Sequence, residues 1–493
     1  MDGISRSLIY IFRTKKGNIY VYNAATNNIY HANDLDLFIL NNLSLLKRSQ
    51  LDSDINQNFK DKDLLNSVQR VTSWLNDINQ FKKSFRLVEF DEKEDYEKEK
   101  DNLSLLILEV TERCNLQCDY CYRKEFMKKG APKSMSWQVA KKAIDYFIDR
   151  ITSPYRTRCK GNCHLSFYGG EPLLNAKLIE KCIDYINTIR IDDKISYHVT
   201  TNLTIMNSHI ADLLIKNNIQ LTVSLDGAEK EHDKNRKYKN GKGSYSDVIQ
   251  NLRFLKEYCP GYFERNAMFN AVYNVNSDIE NIVNFFSDLN NDLIPGIRVR
   301  FNFDPISKIS DLESINNYRT YLSRIKGDFL RLRKLRRKTK KESSLCHVIK
   351  SFLAPFYYPI QNRTYRDPSM FIFGGAICKA GTSRLYVDVN GNFRACEQIH
   401  NTFETGNCWE GISYEKAKKL FDEFKKKIMW ECQNCIAVNF CKICYVAVAK
   451  NGKMDKGHSC EKQRKSFIED LKDYCSMKEE FPEVFEGSWQ FWM

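Results

Sequence analysis

Between residues 103 and 305 the chain repeats one pattern six times: a short apolar, strand-like run, then a helix-length amphipathic segment. The runs are "LLILEV", "HLSFYGG", "ISYHVTT", "IQLTVSLDG", "FNAVYN" and "IRVRFNF", with segments such as "SWQVAKKAIDYFIDRI" between them. Six β/α units in roughly 200 residues imply a parallel sheet curled into a partial barrel. The fold class is therefore α/β, a partial (β/α)6 TIM-like barrel over residues 103–305. In such barrels the chemistry sits at the C-terminal ends of the strands.

The first of those ends carries "ERCNLQCDYCY", with cysteines at 114, 118 and 121. The chain has 17 cysteines, and its start, "MDGISRSLIYIFRTKKG", lacks the sections of an export signal. No apolar stretch approaches the ~20 residues that cross a bilayer. These features predict a cytoplasmic protein, off the membrane, whose cysteines serve metal or thiol chemistry rather than disulfides. Three thiolates are an odd set: a 4Fe–4S cluster normally takes four, and zinc sites pair theirs as CxxC. One metal corner is left open. The second strand ends in "FYGGEP", where glycines let backbone approach a ligand closely and Glu171 supplies a carboxylate, although such a segment alone is equally an ordinary strand-to-helix turn. The fourth ends in "SLDG", residues 224–227.

The flanks differ in character. Residues 1–90 hold short β-runs from 8 to 31 and then helical patterns, a small separate hairpin-plus-helix module, and the charged stretch 89–102 reads as a linker. Residues 306–375 are helical and basic, a bridge, and residues 376–475 are rich in cysteine. The net charge is +14, and "RLRKLRRKTKK" at 331–341 reads as a solvated helix face or a site for an acidic peptide. It lacks the aromatic interleaving or helix-turn-helix signal of a nucleic-acid site.

The C-x3-C-x2-C spacing, Tyr120 before the last cysteine and "GGEP" one strand later resemble the radical S-adenosylmethionine enzymes. In that family the open iron binds the amino and carboxylate groups of the cofactor's methionine, so the resemblance turns the vacant corner into a cofactor site. It implies one 4Fe–4S cluster on Cys114, Cys118 and Cys121, with S-adenosylmethionine beside it. Gly169, Gly170 and Glu171 are implied at the cofactor's amino group, Tyr120 near its adenine, Ser224 at its ribose and Arg236 at its carboxylate. The family often has "TNG" where this chain reads "TTNLT", which places Leu203 at the glycine position.

A second set, Cys378, Cys396, "CQNCIAVNFCKIC" and Cys460, resembles the SPASM domain with its auxiliary 4Fe–4S clusters. Carried across, Cys432, Cys435, Cys441 and Cys460 hold an outer cluster, and Cys378, Cys396 and Cys444 an inner one. Only two residues separate Cys441 from Cys444 where the family usually has three, and CxxC pairs suit zinc as well. The inner set is again one ligand short, to be closed by Cys408, by Cys346 or by a substrate thiolate. Cys159, Cys163, Cys182, Cys259 and Cys475 read as small buried apolar residues.

The N-terminal module resembles the winged-helix-like recognition element of ribosomal-peptide maturases. Together these resemblances imply an oxidoreductase-type peptide maturase that crosslinks a ribosomally made precursor, the crosslink being a thioether. The precursor's leader is implied on residues 1–90, and a low-potential donor such as flavodoxin or ferredoxin supplies electrons. The alternatives are C–C crosslinking or epimerisation, sulfatase-maturase-like formylglycine formation, and a non-catalytic iron–sulfur regulator. Glu397, directly after Cys396 where sulfatase maturases usually have Asp, is the candidate catalytic base or positioning group.

Overall fold

The computed structural model describes residues 4–42, 62–123, 131–157, 163–191, 194–274, 276–292, 297–303, 344–399, 403–450, 453–480 and 482. All six expected runs are strands. β6 (Leu105–Thr111), β7 (Cys163–Gly169), β8 (Ile195–Thr201), β9 (Gln220–Ser224), β10 (Ala267–Tyr273) and β11 (Val299–Phe303) lie side by side in that order, each pair parallel. Between them run α4 (Trp137–Ile151), α5 (Ala176–Asn187), α6 (Ser208–Lys216), α7 (Glu229–Asn235), α8 (Tyr245–Tyr258), α9 (Pro260–Asn266) and α10 (Ile279–Asp292).

Strand alternation divides the residues between two faces. Leu106, Leu108, Leu165, Phe167, Val199 and Leu221 share one buried core with Ala140, Ile144 and Phe147 of α4 and Ile179 and Ile183 of α5. The opposite face is polar, and His198 bridges three strands there, 3.0 Å from the Ser166 hydroxyl and 2.7 Å from that of Thr222. Helix starts are fixed locally: the Ser136 side chain accepts from the Val139 N–H and that of Asn207 from the Ile210 N–H, caps worth about 1 kcal/mol each.

The sheet continues past the expected domain boundary at 376. β13 (Arg384–Val387) adds in parallel to the outer edge of β6, with Leu385 opposite Leu106, and β14 (Asn392–Arg394), β15 (Glu404–Asn407) and β16 (Gly411–Ile412) extend it antiparallel to ten strands. An unpaired β6 edge would expose a row of backbone donors and acceptors, and the cysteine-rich segment covers it. Barrel and C-terminal region are therefore one sheet.

The N-terminal region is a four-stranded antiparallel meander, β1 (Ile4–Arg6), β2 (Ile9–Arg13), β3 (Ile19–Asn23) and β4 (Asn28–Ala32), followed by α1 (Asp34–Asn42) and α2 (Lys62–Ser84). It is not a separate module. Ile9, Ile11, Ile19 and Val21 pack under Ile39, Leu40, Val68, Val71 and Trp74, while Tyr10, Phe12, Tyr20 and Tyr22 on the other face join the main core. Tyr22 packs edge-on to Phe467 of α14 (Ser459–Glu480), centroids 5.2 Å apart. Its hydroxyl and the Ala24 carbonyl both accept from the Asn439 side-chain amide. β5 (Arg86–Leu87) pairs with β12 (Ile372–Phe373), a further tie between the two ends of the chain.

The expected linker is also structured. α3 (Lys93–Glu99) buries Tyr96 completely, and with Phe90 it packs against Tyr414 and Phe421 of α12 (Tyr414–Ile428). Two aromatics decide the matter against the surrounding charge. Of the expected bridge, α11 (Ser344–Gln361) is a helix, and residues 304–343, with the basic stretch 331–341, lie outside the described residues. α13 (Tyr445–Val448) and the hairpin β17 (Ala449–Lys450) and β18 (Lys453–Met454) complete the cysteine-rich end. No described helix is long and apolar enough to cross a membrane.

The Tyr96 hydroxyl donates to the Ala380 carbonyl at 2.7 Å, joining the supposed linker to the segment before β13. Urea unfolding of Tyr96→Phe is expected to show a loss of about 1 kcal/mol, and of Tyr96→Ala about 3–5 kcal/mol. A mobile linker would show neither.

Candidate active site

The cysteine loop begins at an irregularity in the β6–β7 register between Glu109 and Thr111, where the extra residue turns the strand. Gly170 N–H donates to the Thr111 carbonyl at 2.7 Å and Glu171 N–H to that of Arg113 at 2.8 Å. The approach leaves no room for side chains. A Cβ on Gly169 would stand 2.2 Å from the Thr111 oxygen, and one on Gly170 2.1 Å from that of Arg113. The far side of the loop is held by the segment after α7, through Gln117 N–H to Lys237 carbonyl at 2.7 Å and Asp119 N–H to Asn235 carbonyl at 3.0 Å. Backbone contacts on both sides thus present Cys114, Cys118 and Cys121 together.

Glu171 is buried, and its carboxylate is fully engaged within the protein. One oxygen accepts from Leu173 N–H and the Thr201 hydroxyl, the other from Asn202 N–H. Burial pushes this carboxyl up to about 7 in spite of those donors. Glu171 therefore ties the ends of β7 and β8 together behind the loop. Asn202 points its amide at Asn115, 3.0 Å away, and at Cys114 Sγ, 3.9 Å away. Leu203 adopts φ +53°, the left-handed conformation that suits the glycine it replaces, at a cost of about 1–2 kcal/mol. Its fully buried side chain and the Asn251 amide on its carbonyl hold it there.

Tyr120 and Arg236 meet at Asp226. The Asp226 carboxylate accepts from the Tyr120 hydroxyl, from Arg236 Nε at 2.9 Å and from Val272 N–H at 2.9 Å. The Arg236 guanidinium lies 5.3 Å from the Tyr120 ring centroid. The residue expected at a cofactor carboxylate is thus paired with a carboxylate of this chain, and Ser224 stands two residues before that carboxylate at the end of β9. Asp226 is the anchor that sequence reasoning passed over, although it lies in the quoted "SLDG". Asp226 N–H donates to His232 Nδ1, so the other ring nitrogen carries the proton and donates to Ser244.

A second cluster spans the space between the barrel cysteines and Cys396. The buried Arg123 pairs with the buried Glu109 of β6 and reaches the Tyr386 hydroxyl of β13. The Tyr122 hydroxyl meets that of Tyr168 at 3.4 Å. Burial first, then neighbouring phenols and the Glu397 charge, hold the Tyr122 hydroxyl well above its ordinary range. Glu397 also accepts from Arg384 at 2.6 Å and lies 3.5 Å from Cys396 Sγ. It is the ion-pair partner of Arg384, and its charge raises both Tyr122 and Tyr168.

Among the C-terminal cysteines, Cys435, Cys460 and Cys444 all act on Cys441. Burial, then Cys435, Cys441 and Cys460, raise the Cys432 thiol. Cys378 and Cys396 both act on Arg384, and Cys378 and Cys444 both act on Tyr445. Cys408 packs at the β15–β16 turn, over Gly391, and Cys346 is buried in α11. Cys163, Cys182 and Cys475 are buried, Cys259 is half-buried, and Cys159 lies outside the described residues.

The donors suit an iron–sulfur group. Burial pushes the Cys114 thiol up to about 12 and, against the opposing charge of Arg236, that of Cys118 up to about 11. Buried thiols grouped this way ionise when a cationic centre shares their charge. Among the described residues no three His, Cys, Asp or Glu side chains converge on a single ion. A cubane asks for no such convergence, because each thiolate binds its own iron.

The radical SAM superfamily model matches residues 108–286. Residues 108–286 are thus similar to that superfamily. The chain is 28% identical over 316 residues to the radical SAM cyclopropyl synthase TigE of Paramaledivibacter caminithermalis, covering 57% of this chain and 62% of that one. It is 29% identical over 189 residues to the cysteine-type anaerobic sulfatase-maturating enzyme of Clostridium novyi, covering 38% and 48%. It thus spans about half to three fifths of these relatives' length, and the relationship to such radical SAM enzymes is distant. Among solved structures, native anSMEcpe with bound AdoMet superposes with a TM-score of 0.56 at 18% identity, over 78% of this chain and 100% of that one. That likeness is one of fold.

Two outcomes follow for residues 108–286. Gly170→Ala must displace the Arg113 backbone, so anaerobic reconstitution of this variant is expected to yield less iron per chain than the parent. Burial lowers His198 and His232 from 6.5 to about 4, so the unfolded chain takes up protons first as pH falls. Unfolding free energy is therefore expected to decline from about pH 6.5 toward pH 4, as followed by urea titration across that range.

Proposed function

We propose that this protein is a peptide maturase that installs a crosslink, a thioether, in a ribosomally made precursor. The observation that carries the reading is the single cluster of Tyr122, Tyr168, Arg384 and Glu397 between Cys121 and Cys396. When bound, the reduced 4Fe–4S cluster and S-adenosylmethionine supply a 5′-deoxyadenosyl radical that takes a hydrogen atom from the substrate. This chain's residues do the rest. The glycine-braced loop fixes the three cysteines, Gly169, Gly170, Tyr120, Ser224 and Arg236 border the cofactor's place, and Asp226 keeps Tyr120 and Arg236 from turning away. Glu397, oriented by Arg384, takes the proton that the modified residue loses or positions that residue.

Two inner-site features support the thioether. We place the inner set at Cys378, Cys396 and Cys444, a reading supported by Cys408 packing over Gly391. A substrate thiolate completing it would be ionised and held in one orientation. Peptide as the substrate class is supported by the fold's likeness to anSMEcpe with bound AdoMet and Kp18Cys peptide. A C–C crosslink is the second reading, favoured by the match to a cyclopropyl synthase. The leader is assigned to the outer edge of β4, where an extended peptide adds a strand. Removing residues 1–90 would also strip Tyr22 from Phe467, so point changes along β4 test this better than truncation.

Mass spectrometry of a Cys-containing precursor is expected to show loss of two hydrogens with the parent protein and at least about a hundredfold slower loss with Glu397→Gln. Full activity of Glu397→Gln, with its iron content unchanged, would remove the catalytic role.

A further inference from the structure

Residues 364–378 run from the edge of the N-terminal sheet to the C-terminal cysteines. The start of this stretch is fixed beside β4: the Asn27 side-chain amide donates to the Thr364 carbonyl at 3.1 Å, and Arg366 N–H to the Thr26 carbonyl at 3.0 Å. The Thr26 hydroxyl in turn lies 3.3 Å from that of Tyr30 on β4. The stretch ends at the exposed Cys378, which acts with Cys396 on Arg384. In between, β12 pairs with β5 on one side, and among the described residues no strand joins it on the other. Arg86 N–H donates to the Phe371 carbonyl at 2.9 Å and Val88 N–H to that of Phe373 at 3.0 Å. Successive strand residues turn their backbone groups to opposite sides, so the N–H and C=O of Ile372 face the open edge. Open edges are ordinarily blunted by charge, proline or a covering segment. This one is apolar instead: Tyr365 is 63% exposed, Met370 82% and Ile372 68%, while Phe371 and Phe373 are buried.

We propose that the open edge of β12 binds the precursor peptide between its leader and its reactive residue, as an extended strand whose apolar side chains lie on Met370 and Ile372. This rests on the peptide-maturase reading above and adds the path that the substrate takes. Continuity selects the occupant. The stretch begins at the sheet edge assigned to the leader and ends at a cysteine assigned to the inner set, so a peptide engaged at both ends has this edge on its way. Charge selects the composition: Arg86 lies opposite Ile372 in the β5–β12 register, and the exposed Arg366 guanidinium lies 5.3 Å from the Phe371 ring centroid. Acidic residues alternating with apolar ones fit both features, and main-chain hydrogen bonds to Ile372 hold the strand whatever its sequence.

The test uses the full chain, anaerobically reconstituted with iron and sulfide, and a synthetic fluorescein-labelled peptide of about twelve residues alternating Glu and Val. Its Kd, read by fluorescence anisotropy, is expected to rise about tenfold in the combined variant Met370→Ser, Ile372→Ser. A like rise is expected on the parent protein when alternate peptide nitrogens are methylated, which removes main-chain donors. Both altered side chains project into water, so the thermal midpoint is expected to stay at the parent's value. If the combined variant melts earlier, Ile372→Thr decides, since it keeps a branched side chain on the strand: weaker binding supports the edge and parent-like binding overturns it. A parent-like Kd in a combined variant that melts like the parent overturns the proposal, as does a parent that leaves the peptide unbound or binds its methylated form equally well. The maturase reading fails separately. A parent that binds the peptide on this edge yet forms no 5′-deoxyadenosine from S-adenosylmethionine and dithionite supports the edge as a peptide site and sinks that reading.

Discussion

Everything at the barrel mouth depends on one backbone contact, the approach of Gly169 and Gly170 to the carbonyls of Thr111 and Arg113. A side chain at either glycine would drive the cysteine loop off the end of β7. With the contact made, Glu171 falls where it can lock β7 to β8, and the loop is free to be clasped from the other side by residues 235–238. The "GG" of the motif is thus a steric requirement of the loop, whatever else it meets.

The second constraint is the shared sheet. Because β13 pairs with β6, Tyr386 and Arg384 are placed by the same strand edge that carries Glu109 and leads into the cysteine loop. The distance from Cys121 to Cys396 is then set by hydrogen-bonded strands rather than by a hinge between domains. The N-terminal sheet is bound into the same body, since Asn439, which holds Tyr22, lies between the outer-group cysteines 435 and 441.

The parts legible in the sequence were those fixed by short-range pattern. All six barrel strands follow from local alternation, and the cysteine spacing follows from one loop. What escaped was long-range. Nothing near "SRLYVDV" states that it pairs with a strand almost 280 residues earlier. Period-2 alternation in residues 9–23 places side chains on two faces, but not the α14 aromatics that cover one of them. The resemblance put Arg236 at the cofactor's carboxylate, and its partner Asp226 lies ten residues away on the other side of α7. The supposed linker misled by composition, two buried aromatics outweighing its charges. Leu203 is the instructive case: the sequence showed a departure from glycine, and the structure keeps glycine's conformation with leucine's packing.

The most direct test of the account is made on the barrel cysteines. Anaerobically reconstituted parent protein is expected to hold about twelve irons per chain and to form 5′-deoxyadenosine when reduced by dithionite in the presence of S-adenosylmethionine. The triple variant Cys114→Ala, Cys118→Ala, Cys121→Ala is expected to keep about eight irons and form none. A triple variant that still cleaves the cofactor, or a fully loaded parent that does not, would contradict the account.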